Sequence, residues 1–432
     1  MDHFYVIGIF LLILLLLLGS GLWVGLALLG TAYIGMELFT ARPTGDAMMT
    51  ILWRSSSSWS LTALPLFIWM GEILYRTRLS EDMFKGLAPW LSRLPGGLLH
   101  TNTVGCTIFA AVSGSSAATC STVGRMSIPE LRKRHYPEKL ILGTLAGAAT
   151  LGLLIPPSLI LIVYGVTINE SISKLFIAGV IPGLVLALLF MIYTAIAAKL
   201  SPDWNPDKEP VMSFKAKLWQ SRALIPVVAL IILVIGSMYV GIATATEAAA
   251  VGVVGALVIA GIQRSLSWHT FTDSLMGATR TSAMIALLLA GAAFLTLAMG
   301  FTGLPRMLAT WIGTLGLSKV ELLIALLLFY IVIGMFLDGI SAVVLTISVV
   351  EPIIRQAGID PIWFGVFVVV TVEMAQITPP VGFNLFILQG MTGHDLGYLA
   401  KAALPMFFIM IFMAMLLIAF PELATWLPQN IQ

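Results

Sequence analysis

The chain has 432 residues, 59% of them hydrophobic and only 10% charged. A soluble domain is nearer half apolar and a quarter charged, so a water-soluble fold is excluded and lipid must be the solvent for most of the surface. The formal net charge of +2 says little about partners, and no basic cluster interleaved with aromatics marks a nucleic-acid surface.

A helix needs about 20 apolar residues to cross a hydrocarbon core of ~30 Å. In chain order, such runs place spans near 4–20, 22–40, 60–77, 137–167, 176–198, 222–240, 243–263, 281–300, 361–390 and 400–421. Tyr5 to Leu18 is apolar enough for a secretory signal, but no Lys or Arg precedes it and further membrane sequence follows at once. It is expected to be a retained span whose N-terminus faces outward. The segments 45–59, 79–95, 266–279 and 304–316 mix Trp, charged and apolar residues at helical spacing, which predicts interfacial amphipathic helices. Trp90 and Trp311 take corresponding places in the two halves.

Two stretches are not ordinary spans. Residues 98–128 carry Ser113-Gly-Ser-Ser in mid-stretch, and residues 320–356 carry Asp338-Gly-Ile-Ser. A small-residue break there fits a re-entrant helical hairpin whose tip is buried in protein, because unpaired backbone is tolerated at membrane depth only when shielded or lining a cavity. A single span with long loops is the simpler alternative. With two re-entrant hairpins each half makes an odd number of crossings, so the halves insert in opposite senses. Of the 23 Lys and Arg, all but Arg42, Arg54, Lys174, Arg306, Lys319 and Arg355 then fall on the cytoplasmic side, as the positive-inside rule asks. Both termini are then periplasmic.

The halves also resemble each other. Trp23-Val-Gly echoes Tyr239-Val-Gly, Ser113-Gly-Ser-Ser echoes Asp338-Gly-Ile-Ser, and Ile155-Pro-Pro-Ser echoes Thr378-Pro-Pro-Val, at nearly constant offset. The expected division is a first inverted repeat over 1–200, a cytoplasmic linker over 201–221 and a second inverted repeat over 222–432. Inverted halves, each with a hairpin and a broken span, are the plan of a secondary transporter.

The Pro-Pro pairs place the chemistry. Proline lacks an N–H and clashes with the preceding turn, so two in succession break a helix. Gly152-Leu-Leu-Ile-Pro-Pro-Ser and Gln376-Ile-Thr-Pro-Pro-Val-Gly put these breaks within the spans 137–167 and 361–390. Freed carbonyls suit dehydrated Na⁺, which takes hard oxygen ligands without needing net charge. The tips add hydroxyls from Ser113, Ser115, Ser116 and Thr119 on one side and Ser341 and Thr346 on the other. The half-helix N-termini after each break suit a carboxylate. Simple kinks, with hydroxyls bonding back to their own helices, explain one such break but less well two related by symmetry.

Acidic residues at membrane depth are costly and tend to be functional. Asp338, at a tip, is a candidate to support an ion site. Glu247 and Glu373 are as readily braces of the fold as substrate contacts, and Glu72 faces either a partner subunit or a headgroup. Cys106 and Cys120 lie in apolar surroundings as packing residues, and the five histidines are scattered, so no cofactor is expected beyond Na⁺ as coupling ion. A membrane enzyme would need a nucleophile–base pair or metal ligands. No His or Cys lies near the breaks, and the tip serines have no evident base.

In this order, six segments resemble the large membrane subunit of tripartite ATP-independent periplasmic (TRAP) transporters, the DctM-like family. They are Ser113-Gly-Ser-Ser-Ala-Ala-Thr, Leu151-Gly-Leu-Leu-Ile-Pro-Pro-Ser, Leu175-Phe-Ile-Ala-Gly-Val-Ile-Pro-Gly, Ala243-Thr-Ala-Thr-Glu-Ala-Ala-Ala-Val-Gly, Ile359-Asp-Pro-Ile-Trp-Phe-Gly and Ile377-Thr-Pro-Pro-Val-Gly-Phe-Asn-Leu-Phe. The similarity covers essentially the whole chain. Ala245 and Ala375 stand where the family often has Pro and Gly.

The resemblance implies an all-α, multi-pass inner-membrane carrier of elevator type in which hairpins and broken spans move against a scaffold braced by interfacial arms. It further implies a small four-span membrane subunit (Q-type), a soluble periplasmic substrate-binding protein (P-type) and a small organic-acid substrate. Carried over by position, one sodium site would use Ser113, Gly114, Ser115 and Ser116 with carbonyls of Gly152, Ile155 and Pro157. A second would use Gly339 with Thr378, Val381 and Asn384, and Asp338, Ser341 and Thr119 would support them. A free-standing sodium–dicarboxylate carrier of similar architecture is the runner-up.

Overall fold

The computed structural model describes residues 3–77, 79–201, 206–207 and 212–430. Arg78 and most of the predicted linker, 202–205 and 208–211, lie outside the described residues. Among the described residues the secondary structure is helical throughout, with no strand.

The first half begins with α1 (His3–Gly19) and α2 (Val24–Phe39), then the short α3 (Thr44–Ser56), α4 (Ala63–Tyr75) and α5 (Leu79–Leu91). Next come α6 (His100–Ser113) and α7 (Ser116–Lys133), which pack against each other. Gly114 makes their tight turn possible: its φ is +60°, a conformation glycine adopts without steric cost. Ser115 then caps α7, its Oγ accepting from Ala118 N at 3.4 Å. The span that follows is interrupted as the Pro-Pro pair requires. It forms α8 (Glu138–Ala149), a single turn α9 (Leu151–Leu154) and, after Pro156-Pro157, α10 (Leu159–Ile168). Ser158 restarts the helix by capping Leu161 N at 3.3 Å, and α11 (Ile172–Leu200) closes the half.

The second half opens with α12 (Phe214–Ser221), α13 (Ile225–Tyr239), α14 (Ala245–Ile262), the 35-residue α15 (Trp268–Thr302) and the short α16 (Leu304–Thr314). A second helix pair follows, α17 (Lys319–Gly334) and α18 (Gly339–Gln356). The second broken span is α19 (Pro361–Ala375) and α20 (Phe383–Thr392), parted by Pro379-Pro380, and α21 (Leu396–Ala419) and α22 (Glu422–Asn430) end the chain. Among the described residues, seven helical segments are long and apolar enough to cross a membrane by length and composition, and α1, α2, α4 and α19 are shorter apolar helices.

One expectation needs correction. Residues 266–279 do not form a separate interfacial helix: Ser267 caps Thr270 N at 3.0 Å, and the helix it starts runs unbroken to Thr302, because no proline intervenes. The segment expected as a linker is helical at its end, folding there as α12, tied to α5 by a hydrogen bond of 2.6 Å from Trp90 Nε1 to Ser221 Oγ and by the edge-to-face rings of Trp90 and Phe214.

The helices sort into two groups. In one, α15 packs with α2, α3 and α4, and α14 packs with α4 and α13. The other joins α6–α11 to α17–α22 through the pairings of α8 with α21, α7 with α20, α10 with α18 and α11 with both α19 and α22. α4 is a principal bridge, touching both α6 and α10.

Candidate functional site

The first tip is seated on the first break, and glycines set the approach. A Cβ on Gly114 would lie 2.6 Å from the Pro157 carbonyl oxygen. One on Gly152 would lie 2.7 Å from the Ser115 carbonyl oxygen and 2.8 Å from Ser116 Cα. Only glycine permits backbone to meet backbone so closely. Leu159 N donates to the Gly114 carbonyl at 3.4 Å, fastening α10 to the tip.

Pro156 and Pro157 leave the Gly152 and Leu153 carbonyls without helical donors. The Leu153 oxygen takes Ser158 Oγ instead, whereas Gly152 faces the tip. Ile155 ends α9 in extended conformation, which turns its carbonyl out of the helix, while its side chain packs toward Gly183 of α11. Within the tip, Ser113 Oγ and Thr119 Oγ1 are 2.9 Å apart, and Thr119 Oγ1 donates to the Ser115 carbonyl at 2.8 Å. The seven residues expected at the first site, with Thr119, are therefore gathered around the first tip and break.

The second tip meets the second break differently. Val381 N donates to the Met335 carbonyl at 3.2 Å, joining break to tip. A Cβ on Gly339 would lie 2.9 Å from Ile160 Cδ1 and 3.6 Å from Gln376 Nε2. The carbonyls that Pro379 and Pro380 deprive of donors find others: Thr378 N binds the Ala375 oxygen at 3.1 Å and Asn384 N the Gln376 oxygen at 3.0 Å. Thr378 Oγ1 turns back to the Met374 carbonyl at 2.7 Å. The first break is buried throughout, whereas Pro379 and Pro380 are exposed.

Asn384 is fully buried beside the first helix pair rather than the second, its carbonyl 3.9 Å from Cys120 Sγ of α7. Among the described residues, both polar atoms of its side-chain amide lack a hydrogen-bond partner, a costly state for buried polar groups. Asp338 caps α18, accepting from Ile340 N at 3.1 Å and Ser341 N at 3.2 Å. Thr346 Oγ1 donates to Tyr330 Oη at 2.9 Å, away from the breaks.

Glu373, one of the acids left open by the sequence, joins the first site. Its side chain, 0% exposed on α19, accepts from Ser116 Oγ at 2.5 Å. Its other oxygen, Oε1, has no hydrogen-bond partner among the described residues. A carboxylate thus reaches from the second half into the first tip. The sequence signal was a lone acid in the apolar run Trp363–Ala375. Glu247 instead closes a capping box with Thr244 at the start of α14. Glu72 pairs with Arg76 on its own helix.

A cavity of 410 Å³ borders this site. Ser113, Ser115 and Ala118 line one wall, and Glu72, Tyr75 and Arg76 of α4 line the other. No cluster of three or more His, Cys, Asp or Glu that could hold a metal occurs among the described residues. What is present is a set of neutral oxygens and one buried carboxylate, an arrangement that can hold a monovalent cation.

A family model described as "Tripartite ATP-independent periplasmic transporter, DctM component" matches residues 9–423. The C4-dicarboxylate TRAP transporter large permease protein DctM of Pseudomonas aeruginosa is 31% identical, covering 87% of this chain and 88% of that one. The isethionate TRAP transporter permease protein DctMQ of Oleidesulfovibrio alaskensis is 32% identical over 94% of this chain and 63% of its own longer length. The crystal structure of the Alcanivorax borkumensis YdaH transporter has the same fold, with a TM-score of 0.62, 16% identity, and coverage of 94% of this chain and 98% of that one.

Proposed function

Because this chain belongs to the DctM component family of TRAP transporters, as a multi-pass large permease subunit, we propose that it drives import of a small organic acid with a sodium gradient. The observation that carries the reading is the docking of the first tip on the first break, where Gly114 meets the Pro157 carbonyl and Gly152 meets that of Ser115. Sodium would bind there among the oxygens of Ser113, Ser115, Ser116, Gly152, Ile155 and Pro157. Glu373 would supply negative charge through Ser116. A second sodium would sit between the Gly339 tip and the break at Thr378 and Val381. Asn384, with its side-chain amide unpartnered among the described residues, would add an oxygen to that second site.

In this proposal the two tip-bearing helix pairs are re-entrant hairpins of two inverted repeats. They move with the broken spans α8–α10 and α19–α20 as an elevator against the group built on α2, α4, α14 and α15. The division of packing into two groups bridged by α4 supports a moving part within a fixed one. The family name and the longer DctMQ relative support a periplasmic binding protein and a small membrane subunit as partners in the bacterial inner membrane. Relatives named for a C4-dicarboxylate and for isethionate support an organic anion as cargo.

The test is uptake into proteoliposomes holding the chain with its partner subunits, with and without a sodium gradient. Sodium-dependent uptake that disappears in Ser116→Leu and in Asn384→Leu, while both proteins still insert, is the expected result. Unchanged sodium dependence in both variants would remove the ion-site assignment. Uptake by this chain alone would favour a free-standing carrier.

A further inference from the structure

The cavity beside the first tip contains an ion pair that the sodium site does not use. Gly71 brings α4 against the tip: a Cβ there would lie 3.2 Å from both Ser113 Cα and the Val112 carbonyl oxygen. Beyond Gly71 the same helix presents Glu72, Tyr75 and Arg76 to the cavity. Arg76 Nη1 binds the Glu72 carboxylate and also the Glu72 backbone oxygen at 3.0 Å. Gly277 of α15 makes room for that carboxylate, since a Cβ at this position would come within 2.7 Å of Glu72 Oε2.

The pair is the inner end of a cationic path. The Arg125 guanidinium of α7 lies over the Tyr75 ring, 5.4 Å from its centroid, and Arg76 lies over the same ring at 5.8 Å. Arg125 has no carboxylate partner among the described residues. It also lines a second, larger cavity of 890 Å³, which holds Lys85 and the ion-paired Arg134 and Glu130. Tyr75 lines the smaller cavity, and Arg125, over its ring, lines the larger one.

We propose that the 410 Å³ cavity is the release compartment of the carried organic anion. Arg76 binds its carboxylate or sulfonate, and Glu72 is an internal stand-in that holds Arg76 when no anion is present. The inference rests on the transport reading above and adds the substrate contact which that reading lacks. A guanidinium grips a carboxylate through two parallel hydrogen bonds. A partly exposed pair between neighbours on one helix is weak, so an arriving oxyanion can take the place of Glu72. The volume is right for a small ligand. Arg125, over the Tyr75 ring and lining the larger cavity, then receives the anion on its way there.

The charge of the compartment can be read without knowing the substrate. Ala118 lines it and is partly exposed, whereas the native Cys106 and Cys120 are fully buried and silent. The full chain carrying Ala118→Cys in nanodiscs is labelled with an anionic methanethiosulfonate (sulfonatoethyl) and a cationic one (trimethylammonium-ethyl). Each rate is divided by that reagent's rate with free mercaptoethanol.

The expected anion-to-cation ratio is about 10, since a focused field raises local counter-ion concentration by tenfold or more. Arg76→Gln and Arg125→Gln should each bring it toward 1, and Glu72→Gln should raise it. A ratio near 1 in the parent, or one that neither arginine substitution lowers, overturns the proposal. Sodium-induced thermal stabilisation measured on the same proteins keeps the two readings apart. If it is intact while the ratio is near 1, only this inference fails; if it is absent from the parent, the sodium reading itself fails.

Discussion

Gly152→Ala adds one methyl group at the most crowded point of the first site. The new Cβ would stand 2.7 Å from the Ser115 carbonyl oxygen and 2.8 Å from Ser116 Cα, where ordinary contact begins at 3.4 Å. The opposing atoms are backbone on both sides, so tip and break must part by about 0.7 Å, more than the ~0.5 Å within which a binding constellation stays productive. The overpacking costs about 1–3 kcal/mol of stability. The sodium response suffers more. A cation at a hundred times its Kd stabilises the folded state by about 2.7 kcal/mol per site, and this variant should lose that contribution for the first site. The assay is the unfolding midpoint of the purified chain in sodium chloride against equimolar choline chloride. Gly152→Ala should show a slightly lower Tm in choline and a clearly smaller rise on changing to sodium. Gly300→Ala, whose Cβ would meet nothing within 4 Å, should behave as the parent. A full sodium response in Gly152→Ala would refute the reasoning.

Other outcomes follow from the same contacts. Glu373→Ala leaves Ser116 Oγ without its acceptor and opens a gap, so it should lower Tm in choline as well as the sodium response. Glu373→Gln keeps the acceptor and should restore most of the stability but not the sodium affinity, which a sodium titration of Tm would resolve. Thr244→Ala removes the capping box of α14 and should cost about 1 kcal/mol in chemical denaturation without altering the sodium response. Thr346→Val breaks the 2.9 Å bond to Tyr330 and should likewise cost about 1 kcal/mol, leaving sodium dependence intact.

The breaks and tips were legible because their causes are local. Pro156-Pro157 and Pro379-Pro380 lack donors wherever they lie, and Gly114 announces a turn only a residue without Cβ makes easily. The capping box of Thr244 with Glu247 is just as local, although the sequence alone leaves Glu247 open between brace and substrate contact. What the sequence hid depends on docking. Ser116 and Glu373 lie 257 positions apart, and no pattern along the chain says that α19 presents its one acid to α7. Asn384 was expected beside the second tip, yet its carbonyl faces Cys120, because α20 packs on α7.

The Glu72–Arg76 pair had a signal, opposite charges four residues apart on one helix, but not its address on the cavity. The start of α15 was misread as a surface segment since its polar and aromatic residues suit either an interfacial helix or the end of a long one. The apparent symmetry of the breaks also concealed a difference. The first is sealed by its tip, and the second leaves Pro379 and Pro380 exposed.

The most direct test is to image the full chain by cryo-electron microscopy in sodium chloride and again in choline chloride. The account predicts density, present only with sodium, in contact with the Gly152 and Pro157 carbonyls and the serines of the first tip. Helices continuous through the Pro-Pro pairs, or no sodium-dependent density between tip and break, would contradict it.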